Sequence, residues 1–356
     1  MIGDRELAAF EDRFGSAGRA LSRLIRPTIA APEGRTLVWG DWSAIEARVL
    51  PWLADTRGAH KVLDIFRASD ADPSVPDIYM VEAGNVLGMD PQEMWDKYRA
   101  KDKDAKQWRQ QGKVPVLSLG FGGGVGALQA MATNYGVSLT AAEAQVVVDV
   151  WRENNRWARA FWDALWDAFL SAMKNPGVPY EVGRVVYMYD ADYMNGSMMC
   201  FLPDGRPLCY PRLKWRERER EDREGNVTKR MELTYRRGYD TRSLWYGVLA
   251  ENITQACAGS LLREVMVDLS PAISIAEARW ITGPRPTPTP RLLSSPAELI
   301  GHTHDEVIAE CDDNDDAVAL AKKELNDAMV ADRDWTEGLP LAAEVSTNWY
   351  YTKVVD

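Results

Sequence analysis

The sequence lacks several features that would assign it to other classes of protein. None of its 356 residues lies in an apolar run of the ~18 positions that a bilayer-spanning helix needs, which excludes a transmembrane helix. The opening Met1-Ile-Gly-Asp-Arg-Glu is charged and carries no apolar signal region. Cysteine is scarce. Cys200, Cys209, Cys257 and Cys311 have neither zinc-ligand spacing nor the pattern of a disulfide framework, so reduced thiols in a cytoplasm are the expectation. No internal repeat is present. Positive charge is in deficit: 42 Lys and Arg against 53 Asp and Glu leave a formal net charge of −11. Taken alone, that argues weakly against a nucleic-acid partner. The deficit is uneven, however. Basic residues crowd into Lys97–Lys113 and Arg212–Arg242, while acid gathers at Glu306–Asp316 and Asp327–Asp334. A local basic surface is enough to hold a phosphate backbone.

Apolar material is plentiful. Hydrophobic residues make up 46% of the chain and 14 are Trp, ample for a large core in one to three units. Residues 1–30 show a helical face of Leu7, Phe10, Phe14, Leu21, Leu24 and Ile25, ended by Pro27 and Pro32. Thr36-Leu-Val-Trp-Gly40 reads as a buried strand, and Ile45, Val49, Trp52 and Leu53 recur at helical spacing after it. Residues 57–100 mix short helices with the loop at 69–76. A strong helical stretch follows at Lys101–Gln111, then the run Gly120-Phe-Gly-Gly-Gly124. Thr140, with Glu143 three residues on, predicts a capped helix start, and that helix runs through Trp157 to Met173. Residues 181–246 alternate like strands, with the charged tract Glu217–Arg230 as a solvated hairpin tip or a mobile loop. A helix at Leu249–Leu269, an extended loop at Gly283–Pro290, a hairpin at 299–310, a helix at Asp315–Val330 and a strand-like tail at Ala342–Trp349 complete the chain. Helices and strands do not alternate regularly, which predicts an α+β fold.

Two acidic sites stand out. Asp41 leaves the first strand in Asp41-Trp-Ser-Ala-Ile-Glu-Ala-Arg48, and Asp305 and Glu306 sit in the hairpin Gly301-His-Thr-His-Asp-Glu-Val-Ile-Ala-Glu310. Carboxylates at two strand ends are what a two-metal phosphoryl-transfer centre requires, since divalent ions ~3.5–4 Å apart need anionic oxygens from both sides. Each feature also has an ordinary reading. Asp41 could cap a helix, His304-Asp305-Glu306 could be a surface turn, Arg109 and Lys113 could be neighbours on a solvated helix, and the glycine run could be a flexible loop.

All four occur in one order, and in that order the chain resembles the polymerase portion of family A DNA polymerases, particularly bacteriophage-encoded members. Asp41–Arg48 is similar to the first family motif, Arg109-x-x-x-Lys113 with Gly120-Phe-Gly122 to the second, and His304-Asp-Glu306 to the third. Leu202–Pro211, Glu251–Gln255 and Asn348-Trp349 are similar to intervening and closing segments. The resemblance runs from about residue 30 to the C-terminus. It implies a palm of antiparallel sheet and helices with a mostly helical fingers insertion. The division would be 1–56 (first helix and first part of the palm), 57–185 (fingers) and 186–356 (the rest of the palm). It implies that Asp41 and Asp305, with the Trp42 backbone carbonyl, hold two Mg²⁺, supported by Glu306. Arg109 and Lys113 grip a dNTP triphosphate, and Lys113 protonates the leaving group. Phe121 stacks near the templating base, and Glu46 crowds a 2′-hydroxyl. Arg48, Gln255 and His304 contact the primer-template.

The sequence departs from the family pattern in several places. Leu117 stands where Phe or Tyr is usual, and Phe121 replaces Tyr. Pro115 falls inside the fingers helix and is expected to kink or shorten it. Residues 258–260, Ala-Gly-Ser, lack the usual charge. The chain begins about forty residues before Asp41, without the family's thumb or exonuclease domain. That raises the expectation of a split or minimal enzyme completed by a second polypeptide supplying a thumb, and possibly an exonuclease. The alternatives are a catalytically weak, polymerase-like DNA-binding or replication-scaffold subunit, and a two-metal nuclease. The nuclease explains the carboxylates but neither the Arg109/Lys113 helix nor Glu46.

Overall fold

A computed structural model of the chain describes residues 9–13, 15–221, 227–270 and 297–352. In chain order its elements begin with helix α1 (Ala17–Ile25), strand β1 (Arg35–Trp42) and helices α2 (Ile45–Ala54), α3 (Arg57–Ala71), α4 (Ile78–Leu87), α5 (Pro91–Arg99), α6 (Lys103–Leu119), α7 (Val125–Asn134), α8 (Ala141–Asn154) and α9 (Arg156–Lys174). Strands β2 (Tyr180–Val182), β3 (Val185–Asp190), β4 (Ser197–Phe201), β5 (Pro207–Pro211), β6 (Lys214–Glu221), β7 (Val227–Arg237) and β8 (Asp240–Leu244) follow, then helix α10 (Tyr246–Leu269). Strands β9 (Glu298–Thr303) and β10 (Glu306–Asp312), helix α11 (Asp315–Met329) and strand β11 (Ala343–Asn348) complete the set. The strand pairings are antiparallel and the helices are grouped in runs, so the class is α+β. Among the described residues no helix is long and apolar enough to cross a membrane.

The described residues form two compact units, drawn from 1–43, 261–331 and 341–356 for the first and from 44–260 and 332–340 for the second. This division differs from the expected three parts: residues 186–260 fold with 57–185.

The first unit is built on the sheet β11-β1-β10-β9. Strand β1 extends two residues beyond the expected stretch, so Asp41 lies within the strand rather than after it. Its alternation sends one face to α11. A Cβ on Gly40 would strike the Met329 sulfur, and the Trp42 indole donates to the Met329 carbonyl at 2.9 Å. The other face carries Leu37 and Trp39, which pack with Ile308 and Tyr351. The Trp39 and Tyr351 rings meet edge-on at 5.5 Å. Each such buried side chain contributes about 1.5–3 kcal/mol. Helix α11 starts where Asn314 accepts from the Ala317 amide at 2.9 Å, with Asp315 and Asp316 in its first turn. Helix α1 turns Leu21, Leu24 and Ile25 outward rather than burying them. Leu7, Phe14, the loop at 283–290 and the hairpin tip at 222–226 lie outside the described residues.

In the second unit, α4 and α6 approach so closely at Gly112 that a Cβ there would land on the Tyr79 carbonyl. Thr140 and Glu143 form the expected capping box: the Glu143 amide donates to Thr140 Oγ1 at 3.2 Å and the Thr140 amide to Glu143 Oε2 at 2.8 Å. The single helix expected beyond it is in fact two, separated at Asn155 (φ −111°, ψ 43°). Buried Asn155 donates from Nδ2 to Glu82 Oε1 at 3.0 Å and to the Trp151 carbonyl at 3.1 Å. Pro115 does not shorten the fingers helix. α6 continues through Pro115 to Leu119, despite the loss of the one amide donor that a proline removes at any interior position, with Pro115 itself buried. Strands β2–β5 form one sheet and β6–β8 another, and the rings of Tyr210 and Tyr235 meet edge-on at 5.3 Å. Residues 332–340 are pinned to this unit by the Trp52 indole, which donates to the Glu337 carbonyl at 2.9 Å, and by the edge-on pair of Trp52 and Trp335.

Candidate active site

Strand register gathers acid at one end of the first unit's sheet. Asp41 on β1 pairs directly with Glu306 on β10 and, on its other side, with Glu344 on β11. Directly opposed residues share a face, so three carboxylates line up across neighbouring strands beside the Leu37/Trp39 core. Glu344 was not anticipated from sequence, since only the pairing of the tail with β1 brings it there. Glu306 is buried (3% exposed), and Arg26 lies 3.6 Å from its Oε1 while stacking at 5.2 Å over the Tyr351 ring.

Asp305 sits in the two-residue turn between β9 and β10, where Glu306 pairs with Thr303. His304, its partner in the turn, adopts φ +52°, a left-handed conformation that a residue with a Cβ rarely takes. Ala44, three residues after Asp41, is also left-handed at φ +54°. Both acidic segments therefore adjoin strained backbone, a feature that clusters at functional sites.

Asp41 is paired with Glu306, which Asp305 precedes in the turn, and carboxylate oxygens are donors of the chemistry that suits Mg²⁺. Among the described residues no three His, Cys, Asp or Glu side chains close around a common point as a finished cage.

The second unit carries the cationic residues. Asp102 caps α6, accepting from the amides of Asp104 and Ala105 at 2.9 and 3.1 Å. Arg109, Lys113 and Leu117 follow one another at intervals of four along one face of that helix. Arg109 Nε donates to Asp77 Oδ2 at 2.7 Å, and Asp77 Oδ1 caps α4 by accepting from the Met80 amide at 2.8 Å. The guanidinium lies 5.0 Å from the Tyr79 ring centre and 5.5 Å from that of Tyr98. The Lys113 ammonium lies 5.5 Å from Tyr79 and 5.2 Å from Tyr135. Burial pushes the Tyr79 hydroxyl up to about 12, so its ring stays neutral beneath both cations. Sequence reasoning missed Asp77, Tyr79, Tyr98 and Tyr135, because only the packing of α4, α5 and the end of α7 around α6 brings them in.

The glycine run is held in place rather than loose. Gly122 takes φ +75° against the Tyr246 ring. The Gly120 carbonyl accepts from the Trp162 indole at 3.0 Å, and the Gly123 carbonyl from Arg152 at 3.1 Å. Phe121, half-buried, is fixed between these anchors. Glu46 in the first turn of α2 meets Gln255 of α10, with Gln255 Nε2 3.5 Å from Glu46 Oε1. Arg48 is buried (3% exposed). It is bidentate to Asp70, with its second contact at 2.8 Å, and lies 4.2 Å from the Phe66 ring centre. The segment Leu202–Pro211 anchors α10: Arg206 Nε donates to Asp204 Oδ2 at 2.7 Å, as does Ser260 Oγ at the same distance. Arg206 also reaches the Ala256 carbonyl at 3.0 Å, one residue past Gln255.

The first unit is thus an antiparallel sheet with acid at one end. The second is a helical and β-stranded body whose central helix carries two cations over tyrosine faces. No family model matches the sequence. The chain is similar to the DNA polymerase of Bacillus phage SP02, at 29% identity over 354 residues, 97% of this chain. It spans 45% of that relative's length. Among solved structures it is similar to the polymerase domain of Pol1 from M. smegmatis, determined in complex with DNA primer-template and dNTP. That similarity has 16% identity and a TM-score of 0.47, covering 92% of this chain and 42% of that one.

Proposed function

We propose that the chain carries the catalytic portion of a template-directed DNA polymerase, in a cytoplasm where phage-type DNA replication takes place. The observation that carries this reading is the register setting Asp41 opposite Glu306 beside Asp305, in a chain similar over 97% of its length to a protein named DNA polymerase. In the reaction, the primer 3′-oxygen forms a bond to the α-phosphorus of a dNTP while the bond to pyrophosphate breaks. The hydroxyl proton leaves to solvent. Two Mg²⁺ bound by Asp41, Asp305 and the Trp42 carbonyl would acidify the 3′-hydroxyl and neutralise the phosphates. Glu306 backs the two aspartates from its buried position. Arg109 and Lys113 bind the triphosphate, and Lys113 gives a proton to departing pyrophosphate. Glu46, steadied by Gln255, crowds a 2′-hydroxyl. Phe121 stacks near the templating base, with Leu117 one turn after Lys113 on the nucleotide side. Gln255, His304 and Arg48 face the primer end, and Arg48 does so only on exchanging Asp70 for that contact.

A second reading, a DNA-binding or scaffold subunit without catalysis, draws on the engagement of Arg109 with Asp77, which competes with a triphosphate. Primer extension with Mg²⁺ and dNTPs separates the two. We expect template-directed addition by the wild type and its loss in Asp305→Asn with DNA binding kept. Binding without any addition by the wild type would establish the second reading. We also propose that synthesis along long templates draws on thumb or exonuclease residues outside this stretch, on this or another polypeptide. Extension lengths measured with and without the longer gene product test that.

A further inference from the structure

The sheet β6-β7-β8 gathers cations on one face and mixes both signs on the other, where Arg237 and Arg242 join Lys229, Glu217, Glu219 and Asp240. Along β6, Lys214, Arg216 and Arg218 alternate with Trp215, Glu217 and Glu219, and strand geometry sends alternate residues to opposite faces. The register continues this across the sheet: Lys214 pairs with Thr234, Arg216 with Glu232 and Arg218 with Arg230, and Arg236 pairs with Thr241 on β8. One face therefore carries Lys214, Arg216, Arg218, Arg230 and Arg236. Its one carboxylate among the described residues, Glu232, lies 3.8 Å from Arg218 and accepts from Ser243. The other face buries Leu233, Tyr235 and Leu244 at its root, and further out ties Lys229 to Glu217 and Glu219 at 3.0 and 3.3 Å. At the base of the cationic face, Arg212, Lys214, Arg216, Thr234, Arg236 and Thr241 line a hollow of about 360 Å³.

We propose that this face is a docking surface for the phosphodiester backbone of duplex DNA, separate from the polymerase motifs. The choice of ligand rests on the polymerase reading. The cations on β6 stand two residues apart, ~6.6 Å along the strand, a regular row in a chain whose net charge is −11. Charge complementarity of this kind neutralises phosphates without reading bases. The hollow's lining includes one aromatic residue, Tyr235, which is 9% exposed and packed edge-on against Tyr210, while strand alternation sends Trp215 to the opposite side. Single strands are held by stacking on exposed aromatic faces, and Tyr235 is too buried to offer one, so duplex is the occupant.

The test is the affinity of the full chain for a blunt-ended duplex of mixed sequence, measured by fluorescence anisotropy across a salt series. In the triple variant Lys214→Gln, Arg216→Gln, Arg230→Gln the slope of log K against log salt should become shallower by about 2.7, at about 0.9 for each phosphate no longer neutralised. The charge-retaining Arg216→Lys, Arg230→Lys variant should keep the wild-type slope, and so should Glu217→Gln, Glu219→Gln on the opposite face. Single-nucleotide addition at saturating primer-template should be unchanged in the triple variant. An unchanged slope in the triple variant, or a weakening seen with a single-stranded oligonucleotide and not with duplex, overturns the proposal. If the wild type adds no nucleotide yet the slope shifts as stated, the polymerase reading fails and the docking surface stands.

Discussion

At the residue scale, the acidic site depends on which carboxylates face each other, and its contributions can be tested one at a time. Replacing Asp41 with Asn keeps the shape of the strand and removes one anionic donor. We expect nucleotide addition to fall by on the order of 10³ or more, because transition-state stabilisation is concentrated at such groups. A variant that folds normally and extends primers at the wild-type rate would remove Asp41 from the site. Glu46 is placed in the first turn of α2 with Gln255 beside it. Glu46→Ala should therefore raise ribonucleotide use relative to deoxyribonucleotide in a competition assay, and an unchanged ratio would reject the steric role. Arg48 carries a structural load as well. Its guanidinium is buried against Asp70 and Phe66, so Asp70→Asn leaves a buried charge with its ion pair broken. Breaking a buried pair from one side costs about 3–5 kcal/mol, with the lower end expected here because Asp70 is partly exposed. Urea unfolding measures it. A double variant with Arg48→Met should recover part of the loss, and no loss in the single variant would show the pair to be idle.

At the element scale, α6 is set by its contact with α4. Gly112→Ala gains about 1 kcal/mol of helix propensity, yet its Cβ meets the backbone carbonyl of Tyr79, which no side-chain rotation can relieve. Overpacking of this kind costs about 1–3 kcal/mol. We expect a net loss of stability together with weaker dNTP binding, since Tyr79 underlies both Arg109 and Lys113. A stabilised variant with unchanged nucleotide affinity would show that the two helices are free to part. Helix existence and the acidic hairpin were legible in the sequence because their signals are local. Thr140 and Glu143 lie three residues apart, and the turn at His304-Asp305 sits between the short apolar runs Leu299-Ile300 and Val307-Ile308-Ala309. The break at Asn155 was not legible, because its cause includes Glu82, 73 residues away. Nor was the Arg48–Asp70 pair, or Glu344 opposite Asp41, each of which exists only once tertiary packing or strand pairing is set. The left-handed backbone at Ala44 and His304 carries no glycine to announce it. Pro115 was expected to kink or shorten the helix because a local reading sees the lost amide and the ring's clash with the preceding turn, and not the packing that buries Pro115 within α6.

At the scale of the whole molecule, the response of stability to pH contains two buried acids of opposite sign, both in the second unit. Burial pushes the Asp204 carboxyl up, but hydrogen bonds from Ser260 and Arg206 outweigh it and hold the group below its ordinary value of 3.8. A depressed carboxyl stabilises the fold at pH above 3.8, and that stabilisation is lost as pH falls through the lower folded value. Glu82 behaves in the opposite sense. Burial raises it above 4.5 despite hydrogen bonds from Asn155 and Asn85. The folded state then keeps a proton that the unfolded chain releases, so stability falls as pH rises from 4.5 towards the raised folded value. We expect denaturant-derived stabilities of Asp204→Asn to lack part of the acid-side decline. Those of Glu82→Gln should gain on the wild type progressively as pH rises above 4.5 and then run parallel to it. Glutamine keeps an acceptor for the Asn155 amide at 3.0 Å, the shorter of the two contacts, so the fold around the junction of α8 and α9 should survive the change. If the Glu82→Gln and wild-type curves stay parallel from acid to neutral pH, Glu82 is ionised in the fold. The break between α8 and α9 would then be organised around a buried charge rather than a neutral acid.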